Sequence, residues 1–289
     1  MPTYPELVIG HGASYYWRLN EASGLVAVDS KGLANGVISG GVTLGQPGAL
    51  ADGSKAMLFD GVSGMIQTGT VPNGILPLTT EAWIKTTDAG ERCYVTDGPA
   101  SNIYSGITGA CLFYYGSAGS TTGVKPVNDG QWHHAVVIYS STSITFYVDG
   151  ILDVVRTLSP IYPPTGKWEI GNRTANNFIN AWKGSIDEVA IYPKALVPEV
   201  IAEHYAARLD IGFVPVLTMI EPGYDFVLTP NQIYAIPTYP VSLASAGVIQ
   251  TSIMYSGPFT NVSNGLINGC FLRSAGATSV RLSSYIIAS

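Results

Sequence analysis

The sequence has few charged side chains for its length. Only 12% of its 289 residues are Asp, Glu, Lys or Arg, and the formal net charge is −6. Lys and Arg are scattered and form no cluster. Because binding to phosphate groups requires concentrated positive charge, the composition argues against nucleic acid and against anionic membrane surfaces. The expected partner is a neutral sugar or another protein.

Cysteine is also scarce. The three cysteines, Cys93, Cys111 and Cys270, are too few and too far apart for a disulfide framework. No Cys or His residues have the spacing of a zinc site. We therefore expect reduced thiols that pack as small apolar side chains.

Long apolar stretches are missing as well. No run reaches 18 apolar residues, and residues 1–6 lack the basic start and the apolar core of a secretion signal. The sequence therefore predicts neither insertion into a bilayer nor export by the secretory route. Release by cell lysis is the expected way for such a protein to act outside a cell.

Helical periodicity is nearly absent, whereas turn residues are abundant. The chain has 33 Gly and 18 Pro, spread between short apolar runs, and this pattern predicts many strands joined by turns. The exception is residues 197–208, where Pro198 stands near the start and apolar residues recur at three-to-four spacing. This segment predicts one helix that closes a domain.

The clearest local pattern is a hairpin. Residues 131–139 and 144–150 are apolar and β-branched, and residues 140–143 supply a polar turn between them. Ile144, Phe146 and Val148 alternate with polar residues, as in a strand with one buried face. We expect two antiparallel, half-buried strands here.

The hairpin and four other motifs together resemble a known family. The motifs, in chain order, are Tyr16-Trp17-Arg18-Leu19, Met57-Leu58-Phe59-Asp60-Gly61, Glu81-Ala82-Trp83-Ile84, Gln131-Trp132-His133-His134 and Ser185-Ile186-Asp187-Glu188-Val189. Their order over about 200 residues resembles the laminin-G-like domains of the concanavalin A-like lectin and glucanase superfamily. The resemblance implies an all-β fold, a jelly-roll sandwich of two antiparallel sheets. We expect this sandwich over residues 1–209.

Residues 210–289 differ from the rest in charge. They hold two Lys or Arg and three Asp or Glu, against 12 and 17 in residues 1–209. A free domain normally carries many more charges on its surface, so we expect a partner to cover this one. The alternative is a small β-domain with a Ser, Thr and Asn surface. The pattern predicts strands at residues 214–219, 225–228, 232–236, 248–255 and 280–287.

This second segment has a looser resemblance of its own. Ile233-Tyr234-Ala235-Ile236-Pro237, followed by residues 250–256 and 259–262 and by Cys270-Phe271-Leu272-Arg273, is similar to small β-domains at the ends of tailed-bacteriophage virion proteins. The resemblance implies a small β-sandwich or barrel for assembly and anchoring. Ile236 replaces the Leu of that pattern, and Ser256-Gly257 lacks its Asp.

Catalysis is not expected. Retaining glycoside hydrolysis needs two carboxylates about 5 Å apart, which on one strand means acidic residues at alternating positions. The glucanases of this superfamily carry a Glu-x-Asp-x-x-Glu run, and nothing here matches it. Asp149 and Asp153 straddle a predicted turn, and Asp187 and Glu188 are neighbours that point to opposite faces. We therefore predict a protein that is not an enzyme.

The superfamily resemblance implies a structural calcium ion. In such sandwiches calcium often lies where an early loop meets the last strand, and it takes carboxylate and carbonyl oxygens. Asp187 matches the last-strand ligand, Asp29 is the early-loop candidate, and Glu21 is a lesser one. Lys31 places a positive charge beside the early loop, which weakens this prediction.

Glycan recognition would use aromatic faces and amide groups. The predicted glycan-binding residues lie in segments that suit loops or a concave sheet, and they are Tyr104, Tyr115, Asn176, Asn177 and Trp182. Trp182 is the one tryptophan expected in a loop. The others, Trp17, Trp83, Trp132 and Trp168, fall inside strand patterns and are expected in the core.

Three functions are compatible with these features. We favour a structural protein of a bacteriophage particle, either a capsid decoration or a tail or fibre component, which displays the lectin-like sandwich at the virion surface for adhesion to glycan. Its residues 210–289 would contact other virion proteins and hold the chain in a homo-oligomer. The alternative is a carbohydrate-binding module of a secreted or surface protein, and a glycoside hydrolase ranks last.

Overall fold

A computed structural model describes residues 2–69, 74–98, 102–116, 119–164, 166–174 and 180–209, and six short strands beyond residue 210. The chain divides into two units, residues 2–209 and residues 210–289. In the first unit the helices are α1 (Tyr4–Gly10) and α2 (Pro198–Ala207). Its strands are β1 (Tyr15–Trp17), β2 (Val26–Ala27), β3 (Gly36–Ser39), β4 (Val42–Pro47), β5 (Lys55–Asp60), β6 (Met65–Thr68), β7 (Leu78–Lys85), β8 (Arg92–Thr96), β9 (Tyr104–Thr108), β10 (Cys111–Gly116), β11 (Gly119–Pro126), β12 (His133–Tyr139), β13 (Ser143–Val148), β14 (Ile151–Thr157), β15 (Glu169–Ile170) and β16 (Lys183–Tyr192).

These strands form two antiparallel sheets of eight. Sheet A has the order β14-β13-β12-β7-β16-β5-β4, and β1 also pairs with β16. Sheet B has the order β11-β10-β9-β8-β15-β6-β3-β2. This architecture confirms the predicted all-β jelly-roll sandwich. The predicted hairpin is confirmed too, since β12 pairs with β13 and Tyr139 lies opposite Ile144.

The main core lies between the sheets. Sheet A contributes side chains such as Phe59, Ile84 and Val137, and sheet B contributes Ile66 and Ile107, all at most 1% exposed. Alternation along each strand sends the intervening side chains to the outer faces.

The outer face of sheet A is covered by the two helices. Tyr4 of α1 and Ile201 of α2 belong to a second apolar cluster with Trp83, Val136 and Tyr192 of the sheet. Helix α2 confirms the helix predicted at residues 197–208. Helix α1 was not predicted, because seven residues are too few for a clear helical period.

The strands described beyond residue 210 pair antiparallel in three short ladders. Strands β17 (Ile233–Ala235) and β22 (Tyr285–Ile287) pair, as do β18 (Val241–Ser242) with β21 (Ser279–Val280) and β19 (Leu266–Ile267) with β20 (Cys270–Phe271). Strands β17 and β22 lie inside predicted strands, and β21 overlaps one at Val280. The predicted strands at residues 214–219, 225–228 and 248–255 lie outside the described residues.

The described helices are short. Within the described ranges, neither α1 nor α2 has the length and apolar character that a bilayer span would need.

Candidate functional site

The outer face of sheet B carries a cluster of aromatic side chains. Tyr114 points into the core, so its neighbours Phe113 and Tyr115 point outward, and Tyr104 of β9 lies beside them. The Tyr104 ring meets Phe113 edge-on at 5.8 Å and Tyr115 at 6.3 Å between centroids. Cys93 of β8 completes the cluster. We call Cys93, Tyr104, Phe113 and Tyr115 the aromatic face.

The aromatic face has one exposed ring on a buried base. Tyr115 is 44% exposed, whereas Phe113 is 7% exposed and Tyr104 is fully buried. Burial raises the pKa of the Tyr104 hydroxyl well above its usual value, and the nearby Cys93 and Glu91 act in the same direction. Tyr104 therefore stays a neutral hydrogen-bond donor, and Tyr115 is the ring that a ligand can reach.

An arginine supports both tyrosines. The Arg173 guanidinium lies 5.7 Å from the Tyr104 centroid and 5.5 Å from the Tyr115 centroid, within the range of cation–π attraction. Gly171 makes this placement feasible, because it has a φ of +80° and any Cβ there would collide with the Phe59 ring. The turn at Gly171 leads the chain from β15 onto the outer face of sheet B.

Two carboxylates flank the aromatic face. Glu91 is exposed, and its Oε1 accepts hydrogen bonds from Asn180 Nδ2 at 2.8 Å and from the Tyr104 hydroxyl at 3.4 Å. Glu169 is fully buried and accepts hydrogen bonds from Gln67 Nε2 at 2.8 Å and from the Thr174 hydroxyl at 2.6 Å. The arrangement provides a ring for stacking and polar groups beside it, which is the chemistry that sugar recognition uses.

The predicted glycan-binding residues have different outcomes. The structure brings Tyr104 and Tyr115 together, with Tyr104 buried and Tyr115 as the accessible ring. Trp182 lies outside the strands as predicted, just before β16, but its side chain is fully buried in the core and meets Tyr94 edge-on at 5.7 Å, so a glycan cannot reach it. Asn176 and Asn177 lie outside the described residues.

Sequence reasoning missed Arg173, Glu91 and Glu169. Glu91 is distant along the chain from Glu169 and Arg173, so spacing gives no hint that it meets them. The available signal was positional, because Arg173 follows a Gly at the end of a strand pattern.

The predicted calcium ligands do not form a shared site. Asp29 accepts hydrogen bonds from four backbone N–H groups, those of Tyr16, Lys31, Leu33 and Ala34, at 2.9–3.0 Å. Both of its oxygens are thus used to fix the early loop. Glu21 Oε1 accepts a hydrogen bond from Val28 N at 2.8 Å. Among the described residues, no group of three His, Cys, Asp or Glu side chains is placed to hold a metal ion.

Asp187 lies in a buried acidic pair instead. It is fully buried, Oδ2 accepts a hydrogen bond from Ala49 N at 2.8 Å, and Oδ1 has no partner among the described residues. A bulge brings its neighbour Glu188, at φ +51°, into contact with Arg18 and the Tyr16 hydroxyl. Burial raises the pKa of Asp187 well above its usual value, and the Glu188 charge adds to this.

A second group of titratable side chains is buried under the helices. Glu81 of β7 accepts hydrogen bonds from the Tyr4 hydroxyl at 2.8 Å, from His134 Nε2 at 2.7 Å and from His204 Nδ1 at 3.0 Å. Burial alone would raise the pKa of Glu81, but His204 and His134 outweigh it and hold that pKa well below its usual range. This buried group links α1 and α2 to sheet A.

The fold defines a concanavalin A-like β-sandwich, and comparison with known families agrees. Residues 60–202 match a laminin-G family model described as the concanavalin A-like lectin/glucanases superfamily. This stretch is a domain of that superfamily, as the sequence motifs predicted. No curated protein sequence matches the chain.

Solved structures with the same fold come from proteins of several kinds. Domain 4 of AbnA, a GH43 extracellular arabinanase from Geobacillus stearothermophilus in complex with arabinotriose, has a TM-score of 0.54 at 18% identity, over 67% of this chain and 98% of that chain. The receptor binding domain of botulinum neurotoxin D has a TM-score of 0.51 at 12% identity, over 68% and 53%. Trypanosoma rangeli sialidase in complex with sialic acid has a TM-score of 0.51 at 14% identity, over 68% and 33%. The chain thus spans the whole arabinanase domain but only a part of the toxin and sialidase chains, and identities this low speak for the fold alone.

Proposed function

We propose that residues 2–209 form a carbohydrate-binding module that holds a glycan on the aromatic face. The observation that carries this proposal is the exposed Tyr115 ring, supported from below by Tyr104 and from the side by Arg173. A sugar ring would stack on Tyr115. Glu91 would accept hydrogen bonds from its hydroxyls, and the Asn180 amide would donate or accept them. The arabinanase domain with bound arabinotriose is a neutral-sugar precedent on the same fold.

The test is substitution of the exposed ring. We expect Tyr115→Ala to weaken glycan binding about tenfold or more, which corresponds to the loss of about 1.4 kcal/mol of stacking. Tyr115→Phe keeps the ring and should retain most of the affinity. The control is Leu152→Ala, a side chain of similar exposure (49%) on sheet A. Glycan arrays followed by titration calorimetry measure the effect, and equal binding by Tyr115→Ala and the wild type would contradict the proposal.

The module acts by binding rather than by hydrolysis. Glu91 and Glu169 are both engaged in hydrogen bonds with neighbouring polar groups, Asn180 and Gln67 respectively. Incubation of the protein with each bound glycan should release no new reducing ends.

We also propose a structural calcium ion at Asp187. The support is Oδ1 of Asp187, a fully buried oxygen without a hydrogen-bond partner among the described residues and of the kind that calcium binds. Asp29 would not take part, because it is bound to the backbone of its own loop. Calcium should raise the melting temperature and a chelator should lower it, with Asp187→Asn insensitive to both. An unchanged melting temperature would rule out this site.

The wider role that we propose is a component of a bacteriophage particle, located at the virion surface, with residues 210–289 as the part that joins other virion proteins and further copies of the chain. The low charge of those 80 residues, five charged side chains in all, supports a surface that is covered in the working assembly. A secreted carbohydrate-binding module remains the alternative, since the sandwich would serve either setting. The two roles differ in whether residues 210–289 mediate association between copies of the chain.

A further inference from the structure

The charges around the aromatic face are unbalanced. The Cys93 thiol lies at its base, and burial raises the pKa of this thiol well above its usual value. Arg173 opposes that effect, whereas Glu169 and Glu91 add to it, so one positive and two negative charges act at this point. Arg92 adds no free charge, because its guanidinium is paired with Asp88 at 3.1 Å.

Exposure increases the imbalance at the surface. Arg173 is only 7% exposed and its guanidinium lies over two tyrosine rings, so little of its charge faces a ligand. Glu91 is exposed at the edge of the same face. Glu91, whose carboxylate lies 3.4 Å from the Tyr104 hydroxyl, is therefore the charged group that a ligand on this face can reach.

The neighbouring sequence contributes one further charge, a cation. Residues 99–101, 117–118 and 175–179 contain no Asp, Glu, Lys or Arg. Lys167, two residues before Glu169, is the one cation besides Arg173 in residues 161–180. Including Lys167 brings the formal count to zero, which still offers an anionic ligand no net attraction.

From these charges we infer that the aromatic face selects neutral glycans and disfavours glycans that carry a carboxylate or sulfate group. The inference rests on the proposed glycan-binding function and names the class of sugar. The selectivity arises from Glu91, since a negative group on a sugar stacked at Tyr115 would lie close to that exposed carboxylate. At separations of about 6 Å near a protein surface, such repulsion weakens binding by roughly tenfold.

The experiment compares matched sugars on the full chain. An array presents neutral oligosaccharides beside counterparts that differ by oxidation of C6 to a carboxylate or by a 6-O-sulfate, and calorimetry measures each pair that binds. We expect the neutral member to bind about tenfold more tightly. We expect Glu91→Gln to narrow that ratio, while Glu199→Gln, an exposed carboxylate on α2, leaves the ratio as it is. Salt at about 0.5 M should narrow the ratio in the wild type by screening.

The outcomes separate the inference from the function on which it rests. Equal or tighter binding of the acidic members by the wild type would overturn the selectivity while leaving glycan binding intact. A ratio that is unchanged in Glu91→Gln would also overturn it, because the assigned residue would not be its source. Binding of neither member of any pair would overturn the proposed function and, with it, the selectivity. Circular dichroism of each variant verifies that it is folded, as expected for changes at exposed positions.

Discussion

Glu188 is a carboxylate that the fold keeps away from water. Its side chain is fully buried, next to Arg18 and Tyr16, and burial raises its pKa to about 7 in spite of the favourable Arg18 charge. In the unfolded chain a Glu ionises near its ordinary value of about 4.3. The folded state therefore holds a proton on Glu188 that the unfolded state releases at a lower pH. This contribution to stability is complete below about pH 4.3 and is lost as the pH rises through 7.

The consequence is testable with Glu188→Gln, which cannot ionise. The free energy of unfolding of the variant, relative to the wild type, should increase between pH 5 and pH 8 by on the order of 3 kcal/mol. Urea denaturation at several pH values measures this difference. Glu199→Gln, at an exposed position, should give a flat difference over the same range. A flat difference for Glu188→Gln would mean that Glu188 is ionised in the folded protein.

Single residues were the hardest feature to predict from sequence. Tyr115 and Trp182 were both named as glycan-binding residues, and the structure places one on the surface and the other in the core. Both follow apolar stretches. Tyr115 lies in β10, where register decides which face a side chain takes, and Trp182 lies just before β16. Asp29 likewise has the sequence of a loop ligand, but its neighbours' N–H groups occupy its oxygens. The faces taken by Tyr115 and Trp182 depend on partners that are distant along the chain, whereas the partners of Asp29 are local, 2 to 13 residues away.

At the scale of elements, Glu81 ties four segments together. It belongs to β7, and its carboxylate accepts hydrogen bonds from Tyr4 of α1, His134 of β12 and His204 of α2. His11, at the end of α1, extends the chain of contacts, since its Nδ1 lies 2.9 Å from His204 Nε2. Removing one member of a buried charged group leaves the others uncompensated, which costs more than the loss of one hydrogen bond.

We expect Glu81→Gln to lower the free energy of unfolding by about 3 kcal/mol and to release both helices from sheet A. Hydrogen exchange should show reduced protection in α1 and α2 before it does so in β7 and β12. The matched control is Glu203→Gln on α2, which removes a partly exposed pair with His11 at 3.6 Å and should cost less than about 0.5 kcal/mol. Unchanged protection in the helices would mean that apolar packing alone holds them.

Elements were easier to predict than residues where their pattern is long or local. The β12–β13 hairpin and α2 follow from alternation, turn chemistry and a proline near the helix start. Helix α1 carried a short signal in Thr3 and Glu6, whose side chain accepts a hydrogen bond from Thr3 N at 2.7 Å. A capping pair without a following period was not enough to identify a seven-residue helix.

At the scale of the whole molecule, the two units differ in how they meet water. Residues 1–209 hold 29 of the 34 charged residues, and residues 210–289 hold five. A nearly uncharged segment gains more than a charged one from being covered by a partner. Under the proposed function, one unit would bind glycan weakly and the other would set how many copies act together.

This division predicts a difference between the full chain and residues 1–209. Multi-angle light scattering should find a defined oligomer for the full chain and a monomer for the fragment. Both should bind a soluble oligosaccharide with the same affinity per site, because the aromatic face lies wholly within the fragment. On a glycan-coated surface the full chain should bind about 10²-fold or more tightly than the fragment, because linked copies rebind before they leave. A monomeric full chain would contradict the particle role and favour a free-standing carbohydrate-binding module, whose surface binding would then equal that of the fragment.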